Sequence, residues 1–571
     1  MTLPGRCLCL CAVLLAPCLR AAEDQIVVTT DVKVPMRDGV FLSANVFLPP
    51  GEGRFPAILM RTPYGKGDAG SGGARAYARA GYAYVAQDTR GRGQSQGRFA
   101  PFIREAEDGF DTQEWVRAQP WCDGRIGTSG GSYVGFTQWL PAPLGSPALK
   151  AMVPVVTFAD FHDDVAYVGG AFQLSLALGW GALVSTSPGE ALLAKDWPAI
   201  LRSLPLSSYP KLLGREIDFY NDWLAHPNDD EYWRPATIKD KYARIAVPVL
   251  SVGGWYDIFA KATMDNFARL RKEAPTEALR KAQRVVMGPG AHGLGSKIGA
   301  REFGAAANID VGALERRWFD RWLKGVPNGA EDEAPARIFV MGINKWRDEH
   351  EWPLARTRWT KYYLRGKGGA NTAAGDGVLG VEPPGDEPCD RFRYDPNDPV
   401  PTTGGANLVL APIGPYDQRE VEKRKDVLVY TTPPLAAPVE VTGPVVMVLY
   451  AASSAKDTDF TAKLVDVCPD GVAWNLTDGI VRARYRASDT APELIEPGKV
   501  YAYTIDLWVT SNVFLAGHAI RLEVSSSNFP RFDRNLNTGG EFARDGECVA
   551  ADQTVYHDRE RPSHLLLPIV P

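Results

Sequence analysis

From residue 25 to residue 49 apolar and polar positions alternate around Arg37, Asp38 and Gly39, a period of two that predicts a β-hairpin. The pattern then changes. Residues 56–62 (PAILMRT), 82–89 (YAYVAQDT), 125–130 (RIGTSG), 151–157 (AMVPVVT), 247–254 (VPVLSVGG) and 284–290 (RVVMGPG) are short apolar runs bounded by glycine, proline or polar residues. Helical patterns at 103–118 and 262–273 separate some of them, so the expectation is a mostly parallel sheet buried on both faces. Between residues 158 and 242 the strands stop and the chain turns helical and aromatic, with QLSLALGWGALV, LLAKDWPAILRSL and REIDFYNDWL. Helices inserted between two sheet strands would sit above the sheet as a cap. The segment GALERRWFDRWLKG (312–325) reads as an amphipathic helix closed by glycine. From about Ile338 onward, strand-like runs such as ARIFVMG, TKYYLRG, VEVTGPVVMVLYAAS and AIRLEVSSS recur between glycine, proline and aspartate, as in a β-sandwich.

Composition adds limits. A chain of 571 residues, 45% hydrophobic and 23% charged, is too long for one core and predicts two or three packed domains. A net charge of -5 and the lack of a long basic run argue against a nucleic-acid partner. At the start, Arg6 precedes an apolar run from Cys7 to Leu19 that ends in Ala21 and Ala22, which reads as a signal peptide over 1–22 and predicts export to a periplasmic or extracellular space. That run is too short to span a membrane, and no later stretch has the required ~20 apolar residues. Pro17 does not suit the cleavage signal that lipid anchoring at Cys18 would need. The leader holds Cys7, Cys9, Cys11 and Cys18, leaving Cys122, Cys389, Cys468 and Cys548, which show no metal-ligand spacing. An oxidising compartment allows one disulfide among these four, with the pairing open.

The chemistry concentrates in RIGTSGGSYVGFTQW. A strand runs into Gly130, Gly131 and Ser132, and a helical pattern follows from Tyr133. So sharp a turn forces the serine into a strained backbone, requires small neighbours and exposes the hydroxyl. It also aims the Tyr133 N–H at the place where an oxyanion would form. A serine hydroxyl needs a base, and in chain order an acid and then a histidine must follow at other strand ends. Of the seven histidines, His162 and His226 fall in the helical insertion, and His350, His518, His557 and His564 lie in or near the predicted sandwich. His292, in VVMGPGAHG, stands just beyond a core strand, and Asp257, in SVGGWYDIF, occupies the loop after the preceding one.

These segments, together with RTPYGK, RWFDRWLKG, DTDFTAKLVDV and NLTDGIVRARYR, resemble the cocaine-esterase and X-Pro dipeptidyl-peptidase family of serine hydrolases. The resemblance implies an α/β-hydrolase core (25–157 and 243–337), a helical cap inserted in it (158–242) and a C-terminal all-β jelly-roll sandwich (338–571). It places the nucleophile on Ser132, the acid on Asp257 and the base on His292. It puts an oxyanion-donating hydroxyl on Tyr64, with the Tyr133 amide as its partner, and acyl-pocket aromatics on Trp180 and Phe259. Ala166 stands where cocaine esterase has a pocket tryptophan, a departure that bears on aromatic acyl groups. Asp160, Asp163 and Asp164 are candidates for holding a substrate ammonium, although aspartates opening a helix are usually caps. The expected reaction is hydrolysis of a small acyl ester or amide, or of a short X-Pro peptide, with neither metal nor organic cofactor. Homo-oligomerisation stays open, and a non-catalytic binding protein on a decayed scaffold is the reading from outside the enzymes.

Overall fold

The computed structural model describes residues 26–185, 196–214, 217–409 and 411–571. The leader lies outside the described residues. The alternating segment forms two antiparallel strands, β1 (Val27–Pro35) and β2 (Phe41–Leu48), joined at Gly39, whose φ of 83° suits a residue without Cβ. The apolar runs supply β3 (Phe55–Thr62), β4 (Ala83–Asp88), β5 (Cys122–Gly131), β6 (Leu149–Val155), β7 (Leu250–Gly254) and β8 (Arg284–Gly288). They lie in the order β1-β2-β4-β3-β5-β6-β7-β8 and are parallel from β4 to β8. Only such a sheet, covered on both sides, accommodates strands as uniformly buried as β7. The helix Val311–Lys324 packs Trp318, Phe319 and Leu323 on one face of it, and Gly325 closes that helix with a φ of 73°.

Two further strands extend this sheet, β9 (Ala336–Val340) beside β8 and β10 (Lys345–Glu349) at the edge. The sequence pattern assigns ARIFVMG to the sandwich instead. A five-residue strand carries no mark of its partner, and here parallel pairing with β8 decides its sheet. The segment between β6 and β7 is largely helical, with helices Leu174–Ser185, Trp197–Arg202 and Asp218–Ala225, but it also contains a π-type turn at His162–Ala166 and a two-residue hairpin.

From Arg358 to Val570 the chain is mostly β and forms one 11-stranded sheet around its own core of valine, leucine, isoleucine and aromatic residues. The long strand Val439–Ser453 pairs with three neighbours across a bulge at Pro444, which lets it serve two portions of the sheet. This β domain is bound to the rest by polar contacts of buried groups. Arg482 bridges Asp459 and Asp533 at 2.9 Å each, and Asp533 also accepts from the Phe172 N–H at 2.8 Å. The Tyr256 hydroxyl, one residue before Asp257, donates to the Asn475 carbonyl at 2.8 Å. Cys122, Cys389, Cys468 and Cys548 are free thiols, so the allowed disulfide is not formed. Among the described residues no helix is long and apolar enough to cross a membrane.

Candidate active site

The chain leaves β5 through Gly130, with a φ of 139°, and bends at Ser132, where φ is 59° and ψ is -128°. A side chain rarely adopts that region, so the bend holds about 1–3 kcal/mol of strain that its surroundings must impose. They do so by hydrogen bonds and close packing. The Ser132 N–H donates to the Val155 carbonyl at 2.9 Å, and the Thr157 hydroxyl donates to the Ser132 carbonyl at 2.7 Å. A Cβ on Gly130 would sit 2.2 Å from Val134, and one on Gly135 would sit 2.6 Å from Thr157. Both glycines are therefore required by the turn, as the sequence predicts.

Beneath the turn lies a support that sequence reasoning missed. The Tyr133 hydroxyl donates to Glu105 at 2.7 Å and accepts from the Phe102 N–H at 3.0 Å, while Arg61 pairs with the other Glu105 oxygen at 2.8 Å. All of these groups are buried. Burial pushes the Glu105 carboxyl upward, against the opposing pull of Arg61 and Tyr133. Glu105→Ala would leave the Arg61 charge buried without its partner and is expected to destabilise the fold by about 3–5 kcal/mol in denaturant unfolding. A loss below about 1 kcal/mol would remove this network from the supports of the turn.

The loops after β7 and β8 meet because glycines let their backbones touch. A Cβ on Gly254 would lie 2.2 Å from the Gly290 carbonyl oxygen, and the Tyr256 N–H donates to that same carbonyl at 3.0 Å. This approach brings Asp257 Oδ2 to 2.7 Å from His292 Nδ1, while Asp257 Oδ1 accepts from the Phe259 N–H at 2.8 Å. Asp257 is wholly buried and His292 partly exposed. Burial works against the imidazolium, but the charge and hydrogen bond of Asp257 outweigh it and raise the His292 pKa above its ordinary 6.5.

Ser132 opens into an apolar cavity. Tyr64, Tyr133, Trp180 and Phe259 line it, as do Ala166 from the inserted segment and Leu408 from the β domain. Phe259 joins the two halves of the site: it borders the cavity with Ser132, and its ring packs edge to face against His292 with the two ring centres 5.7 Å apart. Tyr64 is 47% exposed as a residue, and its phenolic oxygen accepts from the Trp180 indole N–H at 2.9 Å. Burial raises the phenol above its ordinary 10 against the pull of the Trp180 bond, so it stays protonated at neutral pH.

Asp160, Asp163 and Asp164 do not line this cavity. Asp160 accepts from the Thr237 hydroxyl at 2.6 Å, Asp163 pairs with His162 at 2.7 Å and Lys239 at 3.2 Å, and Asp164 accepts from the Asp160 N–H at 3.1 Å. Burial, then the neighbouring Asp160 charge, pushes Asp164 up to about 8. The group is a structural knot at the start of the inserted segment, closer to the capping role than to an ammonium site.

Comparison with known proteins agrees with this geometry. Residues 38–294 match the X-Pro dipeptidyl-peptidase (S15) family, and residues 328–566 match the X-Pro dipeptidyl-peptidase C-terminal non-catalytic domain. The chain is 42% identical over 573 residues to cocaine esterase of Rhodococcus sp. (strain MB1 Bresler), covering 95% of this chain and 98% of that protein. Its fold is similar to that of an aminopeptidase from the marine sediment archaeon Thaumarchaeota archaeon, with a TM-score of 0.82, 27% identity and 96% and 97% of the two chains covered. It is also similar to an α-amino acid ester hydrolase, with a TM-score of 0.79, 26% identity and 98% and 100% covered. A strand order of the α/β-hydrolase kind and a relative this similar along nearly the whole chain place the protein in the cocaine-esterase and X-Pro dipeptidyl-peptidase family, as a serine ester hydrolase.

Proposed function

We propose that the protein transfers an apolar acyl group from an ester or amide to water through an acyl-enzyme on Ser132. His292 Nε2 takes the Ser132 proton as Oγ attacks the carbonyl carbon, and Asp257 holds Nδ1–H and offsets the imidazolium charge. The carbonyl oxygen, now an oxyanion, is met by the Tyr64 hydroxyl and by the Tyr133 N–H, which lies at the first helical position and has no partner within its helix. His292 then gives its proton to the leaving alcohol or amine. Water, deprotonated by the same imidazole, attacks the acyl-enzyme and releases the acid. The observation that carries this reading is the 2.7 Å Asp257–His292 pair, joined through Phe259 to the cavity in which the strained Ser132 lies.

The lining favours an apolar acyl group: among the described residues around the cavity none is a carboxylate. A dipeptidyl-peptidase needs a counter-charge for a free N-terminal amine, so simple acyl esters are the preferred reading over X-Pro peptides. Ala166, a small side chain in the cavity wall, favours a bulkier or branched acyl group. The inserted helices act as a cap over Ser132, and the β domain, read as a jelly roll, closes the cavity from the far side through Leu408. The leader pattern supports an exported enzyme.

The test is a panel of acyl esters, cocaine included, compared with an X-Pro anilide, alongside labelling by a fluorophosphonate. Labelling at Ser132 is expected, with kcat/KM for the best ester at least about 100-fold above the anilide. Preference for the anilide would replace the ester reading by the peptidase, and absence of labelling would leave only a binding protein.

A further inference from the structure

Trp180 lines the cavity, and its ring stacks 5.6 Å from Phe102, 6.0 Å from Tyr133 and 6.1 Å from Trp223. That packing alone would make it a wall residue. Its one polar atom, however, is aimed at Tyr64, with the indole N–H donating to the phenolic oxygen at 2.9 Å. An indole nitrogen can only donate, whereas a phenol can do both. The bond therefore fixes the polarity of the pair. The Tyr64 oxygen is held as an acceptor by Trp180, and its own proton is left for an acceptor in the cavity that it shares with Ser132. An oxygen that accepts one hydrogen bond also becomes a stronger donor in the next.

The two residues are far apart in the chain, and one cationic side chain ties their segments together. Arg92 donates through Nε to the carbonyl of Pro63, one residue before Tyr64, at 2.8 Å, and through Nη1 to the carbonyl of Val184, one turn after Trp180, at 2.6 Å. Its guanidinium also lies 5.0 Å above the Phe99 ring. One planar group thus sets the spacing between the loop that carries Tyr64 and the helix that carries Trp180.

We propose that Trp180 is a positioning residue for the reaction: its N–H orients the Tyr64 hydroxyl as the oxyanion donor, in addition to any contact its ring makes with the acyl group. This rests on the assignment of Tyr64 to the oxyanion under the proposed function. Positioning and wall contact predict different kinetics. Loss of a wall contact weakens substrate and transition state alike and appears in KM, whereas a misaimed oxyanion donor acts in the transition state and appears in kcat.

The experiment is a double-mutant cycle on the full chain, with Trp180→Phe, Tyr64→Phe and the pair, assayed with one good acyl ester. Rates are normalised to sites titrated by fluorophosphonate. Tyr64→Phe is expected to lower kcat about 100-fold or more. Trp180→Phe is expected to lower kcat about tenfold, with KM changed less than about twofold, and to have an effect below about twofold when Tyr64 is already phenylalanine. Should Trp180→Phe fold poorly, site-specific 3-benzothienylalanine at position 180 keeps the ring shape and removes only the donor; the same tenfold loss is expected. Equal effects of Trp180→Phe with and without Tyr64, or a rise in KM at constant kcat, would overturn the positioning role and leave a wall residue. A Tyr64→Phe enzyme as fast as the parent would instead remove the oxyanion assignment on which the role depends, and the two failures are thereby told apart.

Discussion

Ser132→Ala is expected to lower kcat by about 10⁶ while the protein folds as before. The loss is that large because His292 and Asp257 have no task without the hydroxyl, so removing the nucleophile removes the effect of all three. The oxyanion donors and the cavity remain, and a residual acceleration of about 10³–10⁴ over water is expected from them. Stability separates this site from an ordinary helix cap. At a φ of 59° and ψ of -128°, serine and alanine carry the same backbone strain, so their unfolding free energies should agree within about 1 kcal/mol. Ser132→Gly relieves the strain and is expected to unfold at higher denaturant than Ser132→Ala, by about 1 kcal/mol after allowance for the looser unfolded chain. Equal stability of the alanine and glycine variants would mean that the bend is not held against a backbone preference, and retained turnover in either would place the nucleophile elsewhere.

Much of this site is legible in the sequence because it depends on local steric needs. Gly130 and Gly135 flank a serine at a strand-to-helix bend, and no other residue types fit there. His292 and Asp257 stand in loops directly after apolar runs, and a parallel sheet brings such loops to one edge whatever lies between them in the chain. What the sequence conceals are side-chain partners chosen by tertiary packing. Glu105 belongs to an ordinary-looking helix start, and nothing in its neighbours reveals that Tyr133, 28 residues away, and Arg61 converge on it. The Trp180–Tyr64 bond spans 116 residues and joins two aromatics that sequence patterns treat as wall and donor separately. ARIFVMG reads as sandwich for a related reason: a strand's residues show that it is buried, not which strand lies beside it. For the aspartates of ADFHDD the sequence favours caps over an ammonium site, and Thr237, His162 and Lys239, which no local pattern reveals, occupy two of them.

Asp257→Asn is expected to lower kcat by about 10⁴ and to move the acid limb of the pH profile downward. Both effects follow from the two hydrogen bonds of the carboxylate. Oδ1 accepts from the Phe259 N–H, so an amide at this position keeps its oxygen there and turns its NH₂ toward His292. Nδ1 must then accept, the proton moves to Nε2, and the nitrogen meant to take the Ser132 proton already carries one. The pH shift has a definite sign. His292 acts as a base only when neutral, so kcat/KM falls as pH drops through its pKa. In the parent enzyme the Asp257 charge and hydrogen bond outweigh burial, and the midpoint lies above 6.5. With the charge removed, burial alone remains and disfavours the imidazolium, so the midpoint falls below 6.5. The pH dependence of kcat/KM for the parent and the asparagine variant, each normalised to titrated sites, reads both effects at once. A variant within tenfold of the parent, or one with the same acid limb, would show that the buried pair does not set the tautomer and charge of the base.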